Sequence, residues 1–227
     1  LFWWVHILGI FAFLNYLPYS KHFHIILAFP NTYYANLEAK GRFENNATVT
    51  KEVAMMMDPT ADPFAAPAPD ADAPVERFGA KDANDLSWAN LLNAYTCTEC
   101  GRCTSECPAN LTGKKLSPRK IMMDTRDRIE EIGANIAANG AFLDDGRSLL
   151  GDYITNEELW ACTSCNACVQ ACPVDIDPLN IIMKLRNFAT MEESSAPGAL
   201  NAMMTNVENN GAPWPFNQMD RANWINE

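Results

Sequence analysis

Two short cysteine runs constrain this chain more than any other feature. Residues 97–108 read CTECGRCTSECP, and residues 162–173 read CTSCNACVQACP. Each spells CxxCxxCxxxCP. Three thiolates at this spacing sit on one tight loop and can hold three corners of an iron-sulfur cubane, while the fourth cysteine points elsewhere. In chains with two such cubanes, the fourth cysteine of one run ligates the cluster of the other. The pattern therefore predicts one 4Fe-4S cluster on Cys97, Cys100, Cys103 and Cys172, and a second on Cys162, Cys165, Cys168 and Cys107. This uses all 8 cysteines of the chain.

Two blander assignments explain less. Structural zinc is usually bound by two CxxC pairs joined by a long loop, and a third cysteine followed by CP adds nothing to a tetrahedral site. Disulfide frameworks belong to small secreted domains, a context this chain does not display.

The chain has 227 residues, 48% of them hydrophobic, enough for a core in one or two domains. Its 28 acidic residues against 17 basic ones argue against nucleic-acid binding. The first residue already lies inside an apolar run, so the native start is expected to lie upstream.

Residues 1–17, LFWWVHILGIFAFLNYL, carry no formal charge. As a helix they span about 25 Å, slightly short of a bilayer core. Trp3 and Trp4 at one end, with Tyr16, Tyr19 and Lys21 at the other, have the pattern of an aromatic belt with a charged flank. Residues 1–43 are read as the end of a transmembrane domain. The apolar run after Pro18 is broken at Pro30 and Asn31, as in a helix leaving the bilayer through its interface. Lys21, Lys40 and Arg42 place the following chain on the cytoplasmic side of the inner membrane.

All three histidines, His6, His22 and His24, fall in this apolar end. Histidine in a membrane segment is a functional candidate, and imidazole is a common haem ligand. WWVH followed by PYSKHFH resembles the last helix of the haem b membrane subunits of respiratory nitrate reductase and its relatives. There, two histidines about five turns apart serve two stacked haems. His6 and His24 are separated by 18 residues, about five turns of helix. The resemblance implies haem b on these two residues, with partner histidines from other helices. The alternative is that His22 and His24 sit at headgroup level.

Residues 44–77 are read as an acidic, Pro/Ala-rich linker. Within it, residues 52–76 contain no basic residue, a composition expected to form an extended tether. Met55, Met56 and Met57 are read as an apolar patch against a neighbour rather than as metal or haem contacts.

From residue 78 the signals are helical. Asp85 or Ser87 caps a helix through Leu91, Leu92 and Tyr95 that delivers Cys97. Ser117 with Pro118 opens a long amphipathic helix through Ile121, Met122, Ile129 and Ile132. Thr155 and Glu158 form a capping box before Leu159, Trp160 and Cys162. Asp177 with Pro178 starts a helix through Ile181, Ile182 and Leu185. No strand pair is evident, and the 55 positions from Cys107 to Cys162 are too many for a compact bacterial ferredoxin. The fold class is all-α.

AYTCTECGRCTSECPANLTGKKLSPRKI and LWACTSCNACVQACP resemble the dicluster subunit of the heterodisulfide reductase and glycolate oxidase iron-sulfur family. The resemblance covers residues 78–227. It implies an alpha-helical ferredoxin domain at residues 78–195. It also implies that the tail, residues 196–227, leads toward cysteine-rich CCG catalytic domains; residues 1–227 contain no CCG repeat. Residues 201–224 are expected not to form a stable helix alone, and their aromatic residues to form a strap on a separately encoded CCG-domain catalytic subunit. Arg102, Lys114, Lys115, Arg119, Lys120, Lys184 and Arg186 gather near the cysteine runs, mostly as solvated or docking charges.

These features together predict an electron-transfer subunit of a larger membrane oxidoreductase complex. Haem or quinone lies at the bilayer, two clusters form a wire, and substrate chemistry resides on another chain. No acid, base or nucleophile of this chain is read as catalytic. The alternative is a membrane-tethered module in which the clusters serve folding or oxidant sensing without passing current.

Overall fold

A computed structural model describes residues 1–39, 41–58 and 77–225. Lys40 and residues 59–76 of the expected linker lie outside them. Helices dominate throughout. The β pairing among the described residues is an isolated bridge between Leu150 and Ile154.

The apolar end forms α1 (Phe2–Tyr16), none of whose side chains is buried. With the turn that follows, residues 2–19 make an 18-residue span long and apolar enough to cross a membrane. The helix does not continue to His24. Pro18 lacks the amide that a helix would use and tightens the chain into a 3-10 turn. Ser20 is then fully extended (φ −125°, ψ 164°), and its hydroxyl accepts the His22 amide. The expected five-turn register of His6 and His24 on one helix is therefore not realised. His6 lies on α1, and His24 opens a second helix, α2 (His24–Tyr33).

That second helix packs against the cluster domain. Asn31 is 2% exposed and donates Nδ2 to the Val174 carbonyl at 2.7 Å. Tyr34 meets Trp88 edge to face at 5.1 Å between ring centroids.

The start of the expected linker is helical instead of extended. Asn46 caps α3 (Ala47–Met57), its side chain accepting the amides of Thr48 and Val49. The Pro-rich composition that argues for a tether begins after this helix. Met55, Met56 and Met57 are all exposed.

The cluster domain starts near Gly79, whose backbone passes so close to Phe188 that a Cβ there would overlap the Phe188 nitrogen. Ala80 then donates to the Lys184 carbonyl at 3.0 Å. Ser87 caps α4 (Trp88–Thr96) through the Asn90 amide. Asp85 belongs instead to a capping box with Asp82 one turn earlier. The first cysteine loop contains the one-turn helices α5 (Arg102–Ser105) and α6 (Pro108–Leu111).

Ser117 and Pro118 open α7 (Pro118–Asn139), the long helix of the domain, which ends at Gly140 in the left-handed conformation. Ile121, Met122 and Ile132 lie on its buried face. Thr155 and Glu158 form the reciprocal capping box of α8 (Asn156–Ala161), which delivers Cys162. The second loop carries α9 (Ala167–Gln170), and Asp177 caps α10 (Pro178–Asn187). The core joins α7, α8 and α10 through Leu116, Ile121, Leu149, Leu159, Ile181, Ile182 and Leu185.

The tail is also more helical than expected. Residues 198–210 form α11 (Gly198–Asn210), closed by left-handed Gly211. None of its side chains is buried, and Trp214, Phe216 and Trp224 after it are exposed. No proline or internal glycine interrupts this helix, and the left-handed Gly211 caps its C-terminus.

Hydrophobic periodicity does not reveal Arg128, which lies fully buried on the inner face of α7. Its Nε and Nη2 bond Asp82 at 2.7–3.1 Å, and its Nη1 and Nη2 bond Asp145 at 2.6 and 2.9 Å. Nη2 also donates to the Arg147 carbonyl at 2.8 Å. The arginine therefore ties the entry turn, the long helix and the loop before α8 to one another. Its charge holds the Asp145 carboxyl at about 2, with the Arg128 hydrogen bond as the main cause. Removing a partner from a buried ion pair leaves the other charges uncompensated. Arg128→Met is expected to destabilise the domain by about 3–5 kcal/mol, read from denaturant unfolding of the loaded protein. A loss below 1 kcal/mol would show that the site repacks without the charge.

Candidate iron-sulfur centre

The two cysteine loops are conformational copies. Glu99 and Ser164 occupy the third position of each run, with φ of 58° and 56°. Gly101 and Asn166 occupy the fifth, with φ of 83° and 62°. Left-handed backbone is available to glycine and tolerated by asparagine, and is strained for glutamate and serine. Alternating hand turns successive amides inward, a concavity that suits an anion such as a thiolate-bound cluster. The Ser164 amide lies 3.4 Å from the Cys162 sulfur, and the Glu99 amide makes the matching bond to Cys97. Gly and Asn at the fifth position are the sequence trace of this turn, a signal that cysteine spacing alone does not carry.

The loops face each other through α5 and α9, which carry Cys103 and Cys168. Cys97, Cys100, Cys103 and Cys172 line one gap, walled by Met122, Val174, Ile176 and Pro178. Cys107, Cys162, Cys165 and Cys168 line another, walled by Leu116, Pro118, Leu179 and Ile182. In this grouping the fourth cysteine of each run faces the gap of the other. Cys168 borders both gaps, so the two sites share a wall.

The donor set suits cubanes. All eight cysteines are free thiols. Among the described residues, no three His, Cys, Asp or Glu side chains approach closely enough to share a single metal ion. A tetrahedral zinc would draw its thiolates around one centre at about 2.3 Å each, whereas a cubane takes each thiolate on a different iron.

The electrostatics agree with this requirement. Burial pushes the thiols of Cys97, Cys103 and Cys162 above their ordinary range, and neighbouring cysteines add to the rise. Burial is also the main cause of the rise of Cys168 to about 12. Four ionised sulfurs in either gap need cationic metal, and binding it releases their protons. When present, a 4Fe-4S group supplies one-electron redox chemistry; the protein places its ligands and tunes its charge.

The basic residues divide by role. Arg102 and Arg119 border the first gap, both exposed. Lys114 is exposed, and Lys115 pairs with Glu157 at 2.6 Å on the surface. Lys120 pairs with Asp124 at 2.7 Å and with Glu158 at 2.9 Å, which fixes the capping box of α8. The Lys184 backbone carbonyl takes the Ala80 amide.

Arg186 is not a solvated charge. Its guanidinium donates to the Leu159 carbonyl at 2.8 Å and the Cys162 carbonyl at 2.6 Å, and lies 4.9 Å above the Trp160 ring. No carboxylate among the described residues pairs with it. Sequence reading missed Arg126, which holds Glu99 at 2.7 Å, 14% exposed. Hydrogen bonds from Lys21 and Arg126 hold the Glu99 carboxyl below its ordinary value. His6, His22 and His24 lie apart from the cysteine gaps, with His6 exposed on α1.

An all-α domain whose two cysteine loops enclose paired thiol sets defines an iron-sulfur module. Residues 96–176 match the family model of the 4Fe-4S dicluster domain. The chain is homologous to iron-sulfur oxidoreductases and to iron-sulfur subunits of heterodisulfide reductases. It is 33% identical to the "Probable iron-sulfur-binding oxidoreductase FadF" of Bacillus subtilis, over 99% of this chain and 33% of that protein. It is 28% identical to the "EtfAB:quinone oxidoreductase" of Syntrophomonas wolfei, over 100% of this chain and 31% of that protein. Over 48% of this chain and 54% of the relative, it is 32% identical to a subunit of the ferredoxin/F(420)H(2)-dependent CoB-CoM heterodisulfide reductase of Methanosarcina acetivorans. The chain thus spans about a third of the length of the first two relatives.

Cys107→Ser is expected to remove iron from the site of Cys162, Cys165 and Cys168, and to spare the site formed by the rest of its own run. Iron should fall from about eight to about four atoms per chain, and the surviving EPR signal should vanish on further replacement of Cys172. Loss of the first site instead would contradict the crossed grouping. Arg186→Gln is expected to lower the potential of the second site, because a nearby cation favours the more negative, reduced state. An EPR redox titration should show the first site unmoved; equal shifts at both would assign Arg186 a general packing role.

Proposed function

We propose that this chain is the electron-transfer limb of a membrane-bound oxidoreductase, carrying two 4Fe-4S clusters with crossed ligation between a membrane site and a catalytic subunit. The carrying observation is the pair of thiol-lined gaps that share Cys168, attached to an exposed apolar helix of membrane-spanning length. Sensing or folding would need one cluster, whereas neighbouring clusters suit the passage of current. Support for a quinone at the membrane side comes from the relative described as a quinone oxidoreductase, which aligns over the apolar end as well as the cluster domain.

His6 and His24 are the candidates for haem b ligation. They stand on separate helical segments, so each would draw its second ligand from another segment and not from a shared helix. The cluster domain lies on the cytoplasmic side of the inner membrane in this reading, where Lys21 and Arg42 flank the apolar end and a reducing compartment preserves thiols. The exposed Trp214, Phe216 and Trp224 suit a docking strap for a CCG-domain subunit, because aromatic side chains supply large contact area at interface cores.

The test is reduction of the intact membrane complex by a quinol, followed by EPR and a pyridine haemochrome assay. Both cluster signals should appear within the turnover time, together with b-type bands. Clusters that no quinol or protein donor reduces would favour the structural or sensing alternative. A spectrum without b-type bands would remove haem from the reading and leave the quinone.

A further inference from the structure

One short stretch of chain connects the apolar helix to the cluster domain, and it lands on the first cysteine site. Lys21 Nζ lies 2.9 Å from Glu99 Oε1, between Cys97 and Cys100, and Arg126 Nη2 reaches the same oxygen at 2.7 Å. Thr96 Oγ1, one residue before Cys97, donates to the Leu92 carbonyl at 2.8 Å within α4 and lies 3.5 Å from the Leu27 carbonyl of α2. Asn31 donates to the carbonyl of Val174, two residues after Cys172. Helix α2 therefore packs on α4, which delivers Cys97, and bonds the segment that follows Cys172 through buried Asn31. The second loop is approached by chain beyond α2, where Gly41 comes near Asn166, further along the sequence from the apolar helix.

We infer that the site of Cys97, Cys100, Cys103 and Cys172 is the membrane-facing member of the pair, and that Lys21 and Asn31 are positioning residues that seat it there. The inference rests on the membrane electron-transfer reading and adds an order to it. A quinol gives up two electrons and releases two protons to solvent. With a one-electron cluster at each site, the first electron would pass on to the second site across the shared Cys168 wall and the next would remain on the first, one on each until a downstream acceptor takes them. Reduction of a quinone runs the same count in reverse, and no covalent bond of this chain changes.

The test uses the full cluster-loaded chain in phosphatidylcholine vesicles doped with lipid carrying a dysprosium(III) chelate, which dithionite does not reduce, its clusters reduced by dithionite. Signals are assigned with Cys100→Ser and Cys165→Ser, each of which removes a ligand from one site. Electron-spin relaxation of the first site should quicken several-fold more than that of the second. Equal or greater quickening of the second site overturns the inference. Asn31→Leu, which deletes the donor to the Val174 carbonyl, should shrink the difference, as should the surface variant Lys21→Glu; a difference unchanged in both overturns the positioning role. A chain that fails to float with the vesicles overturns the membrane reading and this inference together. Clusters inert to quinol with the relaxation contrast intact overturn the electron-transfer reading alone.

Discussion

A loop of three cysteines can offer a cubane three thiolates, and the fourth has to come from another part of the chain. Here Cys172 faces the gap of the first loop and Cys107 that of the second, so in the proposed ligation each loop would complete the other. The helices between and after the loops serve this arrangement. Helix α7 spans the domain, α8 returns the chain to Cys162, and α10 closes the wall with Leu179 and Ile182. Burial raises the thiols, so the unmetallated site resists ionisation, and occupancy by cationic iron and the fold reinforce each other.

The charges around the site do different work at different depths. Arg128 is wholly buried and holds two aspartates, a structural bracket far from any redox role. Arg186 is half-buried and donates to the backbone carbonyls of Leu159 in α8 and Cys162 in the second loop. Arg102, Lys114 and Arg119 are exposed and screened by solvent. A single label of basic patch merges three physical situations that burial separates.

The apolar end and the cluster domain are linked mechanically as well as by sequence. The break at Ser20 turns the chain out of the α1 direction and lets α2 lie along α4. A continuous helix would have carried residues 21–34 away from the clusters. The break therefore disrupts a simple two-haem register while bringing Lys21, just after the apolar helix, to Glu99.

The local rules of the chain were legible from residues alone: the two CxxCxxCxxxCP runs, the caps at Ser87, Ser117, Thr155 and Asp177, the apolar helix and the all-α class. Each depends on neighbours within a few positions, where spacing and hydrogen-bonding chemistry are decisive. Three local readings failed for reasons that are equally physical. Pro18 and Ser20 ended a helix that periodicity would continue, and α3 and α11 formed where composition suggested extended chain. What tertiary structure alone decided is that Arg128 is buried while Arg102 is not, and that α2 seats on the first site. Those outcomes depend on contacts between residues dozens of positions apart, and no local pattern records which of many possible long-range pairings packs without voids or unpaired charge.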